Sequence, residues 1–180
     1  SFDNVEFNSN HAVSSAADSD GSGAMFVGAE ARVDIKNSIF DSNTSNAGAG
    51  ALGTRGFALG DDHAARLDIK DSSFTNNSAA TDGGAINNYL YNSTGHNGAV
   101  YVANTNFEEN SAANGGAIYN HIGKEGDKLN AGAQQVGSMY ISESSFSDNT
   151  ASDKGGAIYN EGDLVFDNTA SFNGNSAGTA

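Results

Sequence analysis

The chain has 180 residues, 23 glycines, no proline and no cysteine, and its formal net charge is −14. This acidity disfavours nucleic acid and anionic membrane surfaces as partners. The lack of cysteine excludes disulfides, thiolate metal sites and cysteine nucleophiles within the chain. No apolar run approaches the roughly 20 residues of a membrane span, so we expect no span in this segment.

A short alternating apolar pair opens each repeat unit. It lies seven and five residues before a Phe in four units. Alternation with a period of two predicts a strand with one buried face. The pairs are Val33/Ile35, Leu67/Ile69, Val100/Val102 and Met139/Ile141, and Leu164/Phe166 stands one residue out of register.

The second element is a Phe followed three residues later by an Asn, which occurs six times at Phe spacings of 33, 34, 33, 39 and 26. We expect Phe to stack on Phe inside the fold, and Asn to form a ladder at a turn with left-handed backbone. The small residue two positions after each Asn is expected to keep a corner narrow. The pairs are Phe7/Asn10, Phe40/Asn43, Phe74/Asn77, Phe107/Asn110, Phe146/Asn149 and Phe172/Asn175.

The third element is the tetrapeptide GGAI, which we interpret as a strand entered through a tight glycine corner. Degenerate copies stand at 22–25 and 49–52, and the sixth unit has none. The full copies are Gly83, Gly84, Ala85 and Ile86; Gly115, Gly116, Ala117 and Ile118; and Gly155, Gly156, Ala157 and Ile158.

Three short strands per repeat predict an all-β fold, a right-handed parallel β-helix of about six coils. The regular repeat also argues against disorder, although only 37% of residues are hydrophobic. We expect residues 1–180 to form a single β-helix segment of a longer passenger, because no capping unit is visible. Segments of variable length at 53–66, 87–99 and 119–138 follow the third element and are predicted to project as loops from one side. Loops on one face of a solenoid are a usual place for binding.

These FxxN and GGAI tetrapeptides resemble the repeats of the chlamydial polymorphic membrane proteins and of related autotransporter-like bacterial surface proteins. The resemblance implies an extracellular β-helical passenger on the bacterial cell surface, anchored by an outer-membrane barrel elsewhere in the parent protein. It also implies a role in adhesion and virulence. In that family the tetrapeptides are linked to host-cell adhesion, so the FxxN and GGAI residues named above are the positions carried over.

Two pairs of tyrosines occupy equivalent positions in consecutive units. Tyr101 and Tyr140 lie six residues before a Phe, and Tyr119 and Tyr159 directly follow GGAI. Alternation predicts that Tyr101 and Tyr140 point outward, where aromatic rows are suited to stacking on sugar rings. The alternative is that these tyrosines are ordinary residues of a strand surface.

Carboxylates and histidines offer weaker signals for chemistry. Glu109 and Asp148 fall at the same position in adjacent units, as a polysaccharide-active β-helix would require, and Asp71 and Glu143 share another column. Asp61-Asp62-His63 is the best metal-like cluster, yet no histidine shows ligand spacing and no phosphate-binding glycine loop is present. We therefore expect no catalysis, no metal site and no cofactor.

Three functions remain open. The first is an adhesin or self-association module whose partner is a host-cell receptor, a glycan or a neighbouring copy of the chain. The second is a polysaccharide lyase or glycosidase that uses paired carboxylates. The third is a spacer that extends a distal tip away from the cell.

Overall fold

The computed structural model describes residues 1–14, 21–28, 31–57, 66–91, 99–122, 138–167 and 169–178, and its regular structure there consists of strands. The strands follow one another in coils. Each of the first five coils contributes four strands and the sixth contributes three.

The strands are short because each coil turns a corner every few residues. Coil 1 contains β1 (Phe2–Asp3), β2 (Glu6–Asn8), β3 (His11–Ala12) and β4 (Met25–Val27). Coil 2 contains β5 (Arg32–Lys36), β6 (Ile39–Asp41), β7 (Thr44–Ser45) and β8 (Leu52–Phe57). Coil 3 contains β9 (Arg66–Lys70), β10 (Ser73–Thr75), β11 (Ser78–Ala79) and β12 (Ile86–Tyr91).

The later coils repeat this plan. Coil 4 contains β13 (Ala99–Ala103), β14 (Asn106–Glu108), β15 (Ser111–Asn114) and β16 (Ile118–Ile122). Coil 5 contains β17 (Ser138–Ser142), β18 (Ser145–Ser147), β19 (Thr150–Lys154) and β20 (Ile158–Asn160). Coil 6 contains β21 (Asp163–Phe166), β22 (Ser171–Asn173) and β23 (Ser176–Ala177).

Equivalent strands of successive coils pair in parallel and build four sheets along the stack. Sheet A is β1-β5-β9-β13-β17-β21, sheet B is β2-β6-β10-β14-β18-β22, sheet C is β3-β7-β11-β15-β19-β23 and sheet D is β4-β8-β12-β16-β20. The register places Phe74 between Phe40 and Phe107, as the repeat predicts. The prediction of a parallel β-helix of about six coils is confirmed, and its right-handed sense remains the expectation from strand twist.

The interior of the coil is filled by columns of apolar side chains from sheets A, B and D. In sheet A the alternating pairs point inward, and Ile35, Leu67, Ile69, Val100 and Val102 are buried. The prediction of a half-buried first strand is therefore confirmed. Each coil alone could not bury these residues, so stacking of neighbours supplies the core.

The expectation of three strands per coil was wrong, because the small residue after each Asn lies in a strand of its own. Sheet C holds Ser45, Ala79, Ala112 and Ala151 as its buried inward residues. Each of these strands has a single buried position, so it leaves no apolar alternation in the sequence.

The GGAI element also differs from its prediction. The strand of sheet D begins at the Ile, and the preceding Gly-Gly-Ala forms the corner. The predicted loops 53–66, 87–99 and 119–138 begin as strands, since β8, β12 and β16 extend to Phe57, Tyr91 and Ile122. Residues 58–65, 92–98 and 123–137 lie outside the described residues, and each joins the end of a sheet D strand to the start of a sheet A strand.

The strands of sheet D have polar residues at some inward positions, so their sequences lack the apolar alternation that predicts a strand. Thr54, Asn88 and Asn120 face inward and are buried. Thr54 Oγ1 donates to Asn88 Oδ1 at 2.6 Å, and Asn88 Nδ2 donates to Asn120 Oδ1 at 2.7 Å. This ladder satisfies polar groups that would otherwise be costly to bury.

The last unit keeps its pairing despite the shifted spacing. Met139 pairs with Leu164 and Ile141 with Phe166, so the first strand stays in register. Phe146 likewise pairs with Phe172. The additional residue is accommodated between the two strands.

Candidate binding surface

The FxxN phenylalanines form one continuous stack inside the coil. Neighbouring rings are nearly parallel, with centroid distances of 4.5 Å for Phe40–Phe74, 5.1 Å for Phe74–Phe107 and 4.8 Å for Phe107–Phe146. Phe40, Phe74 and Phe107 are 0% exposed. The predicted stack is confirmed, and these side chains are not available to a partner at the surface of coils 2–5.

The FxxN asparagines of coils 2–5 are buried beside the stack and form a hydrogen-bonded ladder. Asn110 illustrates the pattern: its Nδ2 donates to the carbonyl of Phe74 at 3.0 Å and to Asn149 Oδ1 at 2.9 Å. Its Oδ1 accepts from the backbone N–H and the Nδ2 of Asn77, both at 3.0 Å. The amide of Asn110 in coil 4 therefore binds groups of both neighbouring coils, as the predicted ladder requires.

The ladder extends into the first coil, where its burial changes. Asn43 is fully buried, and its Nδ2 donates to the carbonyl of Phe7 and to Asn77 Oδ1, both at 2.9 Å. Asn10 is exposed, yet its Nδ2 donates to Asn43 Oδ1 at 2.8 Å and its backbone N–H donates to the same atom at 3.0 Å. Asn10 and Asn43 are FxxN positions, which the family resemblance links to adhesion. Both side chains form hydrogen bonds within the ladder, whether exposed or buried.

The left-handed backbone belongs to the residue before each Asn rather than to the Asn itself. The positive φ values are 55° at Ser9, 56° at Ser42, 54° at Asn76 and Glu109, and 53° at Asp148. The physical reason is that the Asn must turn its side chain toward the neighbouring coil, so the residue before it makes the turn. The prediction of left-handed backbone was wrong for Asn10, Asn43, Asn77, Asn110, Asn149 and Asn175.

The two glycines of GGAI have different roles. Gly83, Gly115 and Gly155 have φ of 65°, 64° and 68°, a conformation that glycine adopts without penalty. The second glycine packs against the next coil, and a Cβ on Gly84 would lie against the carbonyl of Gly116 and 2.6 Å from the nitrogen of Ser111.

This difference explains the degenerate copies of the motif. Ser22 and Ala49 stand in place of the first glycine, and neither has a positive φ. The second glycine is kept in both copies, as Gly23 and Gly50, and a Cβ there would again meet backbone of the next coil. Only the second position is fixed by packing between coils.

On the outer face of sheet A, Tyr101 and Tyr140 are paired in register and stack at 4.9 Å with an angle of 8°. The guanidinium of Arg66 lies 4.6 Å from the centroid of Tyr101, on the side away from Tyr140. Both faces of Tyr101 are therefore covered, as expected for a cation–π contact and an aromatic stack. The pair presents ring edges and hydroxyls outward, which argues against the proposed stacking of sugar rings on Tyr101.

On the outer face of sheet D, Tyr119 and Tyr159 stack at 5.2 Å with an angle of 6°. Both hydroxyls donate to the same carboxylate, Tyr119 to Glu161 Oε2 at 2.7 Å and Tyr159 to Glu161 Oε1 at 2.9 Å. Burial, followed by the hydrogen bond to Glu161, raises the pKa of Tyr119. The hydrogen bond to Glu161 likewise raises the pKa of Tyr159.

His121 completes this cluster from the end of β16. Its Nδ1 lies 2.8 Å from Glu161 Oε2 and 3.0 Å from the hydroxyl of Tyr119, and its ring stacks on Tyr89 at 4.8 Å. The side chain is buried, although its strand position points outward. We call Tyr119, Tyr159, His121 and Glu161 the sheet D cluster.

Sequence reasoning found the two tyrosines of the sheet D cluster, assigned His121 to the predicted loop 119–138, and missed Glu161. The histidine and the glutamate both follow GGAI in the same frame, two residues beyond Tyr119 and Tyr159 respectively. The inward–outward alternation of the strand continues past the Ile of GGAI. It was not recognised because its next inward residues are Asn120 and Asn160, which are polar.

The carboxylate columns considered for catalysis lie in turns. Glu109 and Asp148 are exposed, and the N–H of Glu109 donates to the carbonyl of Ser147 at 3.1 Å. Asp71 and Glu143 also have positive φ and occupy the turn between sheets A and B. No group of three or more His, Cys, Asp or Glu suited to a metal is found in the described part of the chain. Asp61-Asp62-His63 lies outside that part.

Three segments of the chain match the model of the Chlamydia polymorphic membrane protein repeat: residues 71–89, 104–121 and 143–161. The chain carries polymorphic membrane protein repeats. Each matched segment runs from the turn after sheet A, through sheets B and C, into sheet D, and the three segments fall in coils 3, 4 and 5. This repeat family indicates an autotransporter-like, surface-associated protein.

Searches of curated proteins and of solved structures gave no significant match. Across the ranges that the structure describes, there is no helix with the length and apolar character needed to cross a membrane.

Proposed function

We propose that this chain is part of an extracellular passenger that attaches a bacterium to host cells through the outer faces of sheets A and D. The observation that supports the proposal is a convergence at one corner of the coil. The segments 58–65, 92–98 and 123–137 all join sheet D to sheet A, and both tyrosine pairs lie on these two sheets.

The burial of the repeat motifs makes this corner the better candidate for binding. The side chains of Phe107 and Asn110 are 0% exposed, so they act on adhesion by maintaining the fold. Tyr140 is 38% exposed, and Tyr101, Tyr119 and Tyr159 are half-buried, so each of the four retains some surface. Tyrosine is enriched where a few residues carry most of the energy of an interface.

The partner is a host-cell receptor or a glycan that engages hydroxyls and ring edges. A net charge of −14 favours a partner with a neutral or cationic surface. The proposal contains no catalytic step.

The test is adhesion to epithelial cells of beads coated with residues 1–180. We expect binding, and we expect it to fall on the order of tenfold in the double variant Tyr101→Ser, Tyr140→Ser, which is the effect of losing about 1.4 kcal/mol. Replacement of residues 123–137 by Gly-Ser-Gly is expected to lower it as well. Circular dichroism checks that each variant is folded.

The matched control is Ser78→Ala with Ser111→Ala, on the outer face of sheet C, which does not border the corner. If the control loses as much binding as the tyrosine variant, or if the folded chain does not bind, the proposed surface is wrong. Bead–bead clumping would instead indicate self-association. Turnover of a glycan panel that disappears in Glu109→Gln with Asp148→Asn would favour an enzyme.

A further inference from the structure

The two outward tyrosine pairs differ in what surrounds their hydroxyl groups. Tyr119 and Tyr159 share the carboxylate of Glu161 at 2.7 and 2.9 Å. Within the described residues, no hydrogen bond joins the hydroxyl of Tyr101 or Tyr140 to a carboxylate. The stacking is nearly the same in both pairs, so the shared acceptor sets the sheet D cluster apart.

A shared acceptor matters for oxidation of a phenol. When a phenol loses one electron it becomes strongly acidic, and a base within hydrogen-bond distance takes its proton in the same event. The carboxylate of Glu161 is placed to accept from either hydroxyl, and His121 Nδ1 lies 2.8 Å from one of its oxygens. Burial and Glu161 together raise the pKa of Tyr119, so the neutral phenol persists until an electron leaves.

The ring geometry places the two reacting side chains next to each other. Tyr119 and Tyr159 are register partners on parallel strands, and their rings are 5.2 Å apart and 6° from parallel. Because both hydroxyls converge on one carboxylate, the ring carbons next to those hydroxyls lie on the same side of the stack. Bond formation then requires the two rings to turn out of the parallel stack, so that these carbons approach from the stacked separation to bonding distance.

We propose that Tyr119 and Tyr159 form a site of oxidative dityrosine cross-linking, with Glu161 as the proton acceptor and hydrogen peroxide, used by a haem peroxidase, as the oxidant. Each phenol loses one electron and one proton, and the two radicals form one carbon–carbon bond between their ortho positions. The ortho hydrogens then move to the phenolic oxygens. The peroxide takes up two electrons and two protons and leaves as two waters.

The product links coil 4 to coil 5 covalently in a chain that has no cysteine. It closes the chain between β16 and β20, which includes the segment 123–137. Such a link restricts the unfolded chain as a disulfide does. The two hydroxyls of the product remain beside each other, where Glu161 can bind both.

The test is treatment of dilute residues 1–180 with a haem peroxidase and hydrogen peroxide. Dityrosine is measured by its fluorescence, and the linked peptides are identified by mass spectrometry after proteolysis. We expect a Tyr119–Tyr159 link within one molecule, with a mass lower by two hydrogens. The link should disappear in Tyr159→Phe, which removes a single oxygen and should stay folded.

Two further variants separate this site from random oxidation. Glu161→Gln should slow formation of the link on the order of tenfold, because the amide is no longer a base. The double variant Tyr101→Phe, Tyr140→Phe should form it at the rate of the unmodified chain. The proposal is overturned if the link maps to Tyr101 and Tyr140, if links form only between molecules, if the folded chain forms none, or if Glu161→Gln reacts at the normal rate.

Discussion

The inner and outer faces of the same coil both carry stacked aromatic residues, but the inner ones form the core and the outer ones form a surface. Phe107 lies in a closed stack with a buried amide ladder beside it, whereas Tyr101, in the preceding strand of coil 4, contacts Arg66 and Tyr140 at the surface. The inner residues repeat in every coil because each must fit the one above and below. The outer residues are free of that constraint, so binding and chemistry can vary there while the scaffold stays constant.

The largest effect is expected at the glycine column, which we define as Gly50, Gly84 and Gly116, the second glycines that pack against the backbone of the next coil. We expect Gly84→Ala to abolish cooperative folding, because the new Cβ would meet the backbone of coil 4 and no rotamer change relieves a contact with backbone. Circular dichroism during urea unfolding measures the effect.

The matched control for this variant is Ala49→Gly, at a first-glycine position without a positive φ. It should cost less than about 1 kcal/mol. A folded Gly84→Ala chain with normal stability would contradict this account of the glycine column.

The aromatic stack gives the next largest effect. Phe107→Ala should lower the free energy of unfolding by about 3–5 kcal/mol, since it removes a ring that is 0% exposed and leaves a cavity between Phe74 and Phe146. Tyr101→Ala, on the outer face of the same coil, should lower it by about 1 kcal/mol. Equal losses in urea unfolding would show that the two faces are not distinct.

A smaller effect is expected from the buried ladder. Asn110→Ala should cost about 3 kcal/mol, because it leaves the N–H of Asn77 and the carbonyl of Phe74 without their partner. Asn106→Ala removes an amide from the outer face of sheet B and should cost less than about 1 kcal/mol. The same unfolding measurement decides, and a tolerated Asn110→Ala would mean that water replaces the amide.

The smallest effect concerns pH. Hydrogen bonds from Thr75 and then Ser42 lower the pKa of Asp41, although burial opposes them. A lowered folded pKa contributes stability that is present above the ordinary pKa of an aspartate and is lost as pH falls through the folded value. Because Asp41 lies near the surface, this contribution should be below about 1 kcal/mol. Thr75→Val should reduce the loss of stability between neutral and acidic pH, as measured by urea unfolding at both. The same loss in Thr75→Val as in the unmodified chain would contradict this role of Thr75.

Much of the scaffold could be predicted from the sequence, because the stack turns one position of the repeat into one column of the structure. The spacing of Val100 and Val102 from Phe107 was sufficient to predict both strands and their inward faces. The strand containing Ala112 could not be predicted, since Ala112 is its one buried residue and a single residue makes no pattern. The strands after GGAI were mistaken for loops because Asn88 and Asn120 stand where an apolar residue was expected.

The turn beside the FxxN ladder was predicted in the right place but on the wrong residue. Asn tolerates left-handed backbone, so the sequence favoured Asn10 and Asn43 for that conformation. The structure assigns it to Ser9 and Ser42 instead. Propensity alone could not decide between neighbours, because the decisive factor is the direction in which the amide must point to reach the next coil.

The candidate surface could be predicted only in part, for a related reason. Alternation placed Tyr101 and Tyr140 outward, but no rule of spacing could show that Arg66 covers one ring. The sheet D cluster combines residues of coils 4 and 5 and depends on the reach of His121 to Glu161, so spacing within one repeat unit could not predict it.

The most direct test of the central claim, that the FxxN residues belong to the interior, is hydrogen exchange of the asparagine side-chain amides by nuclear magnetic resonance. The side-chain amide of Asn110 should exchange far more slowly than that of Asn106, which lies on the outer face of the same coil and serves as the matched reference. Slow exchange at Asn77, Asn110 and Asn149 is the result that the structure predicts. Exchange at these three positions as fast as at Asn106 would place the motif at the surface and contradict the account.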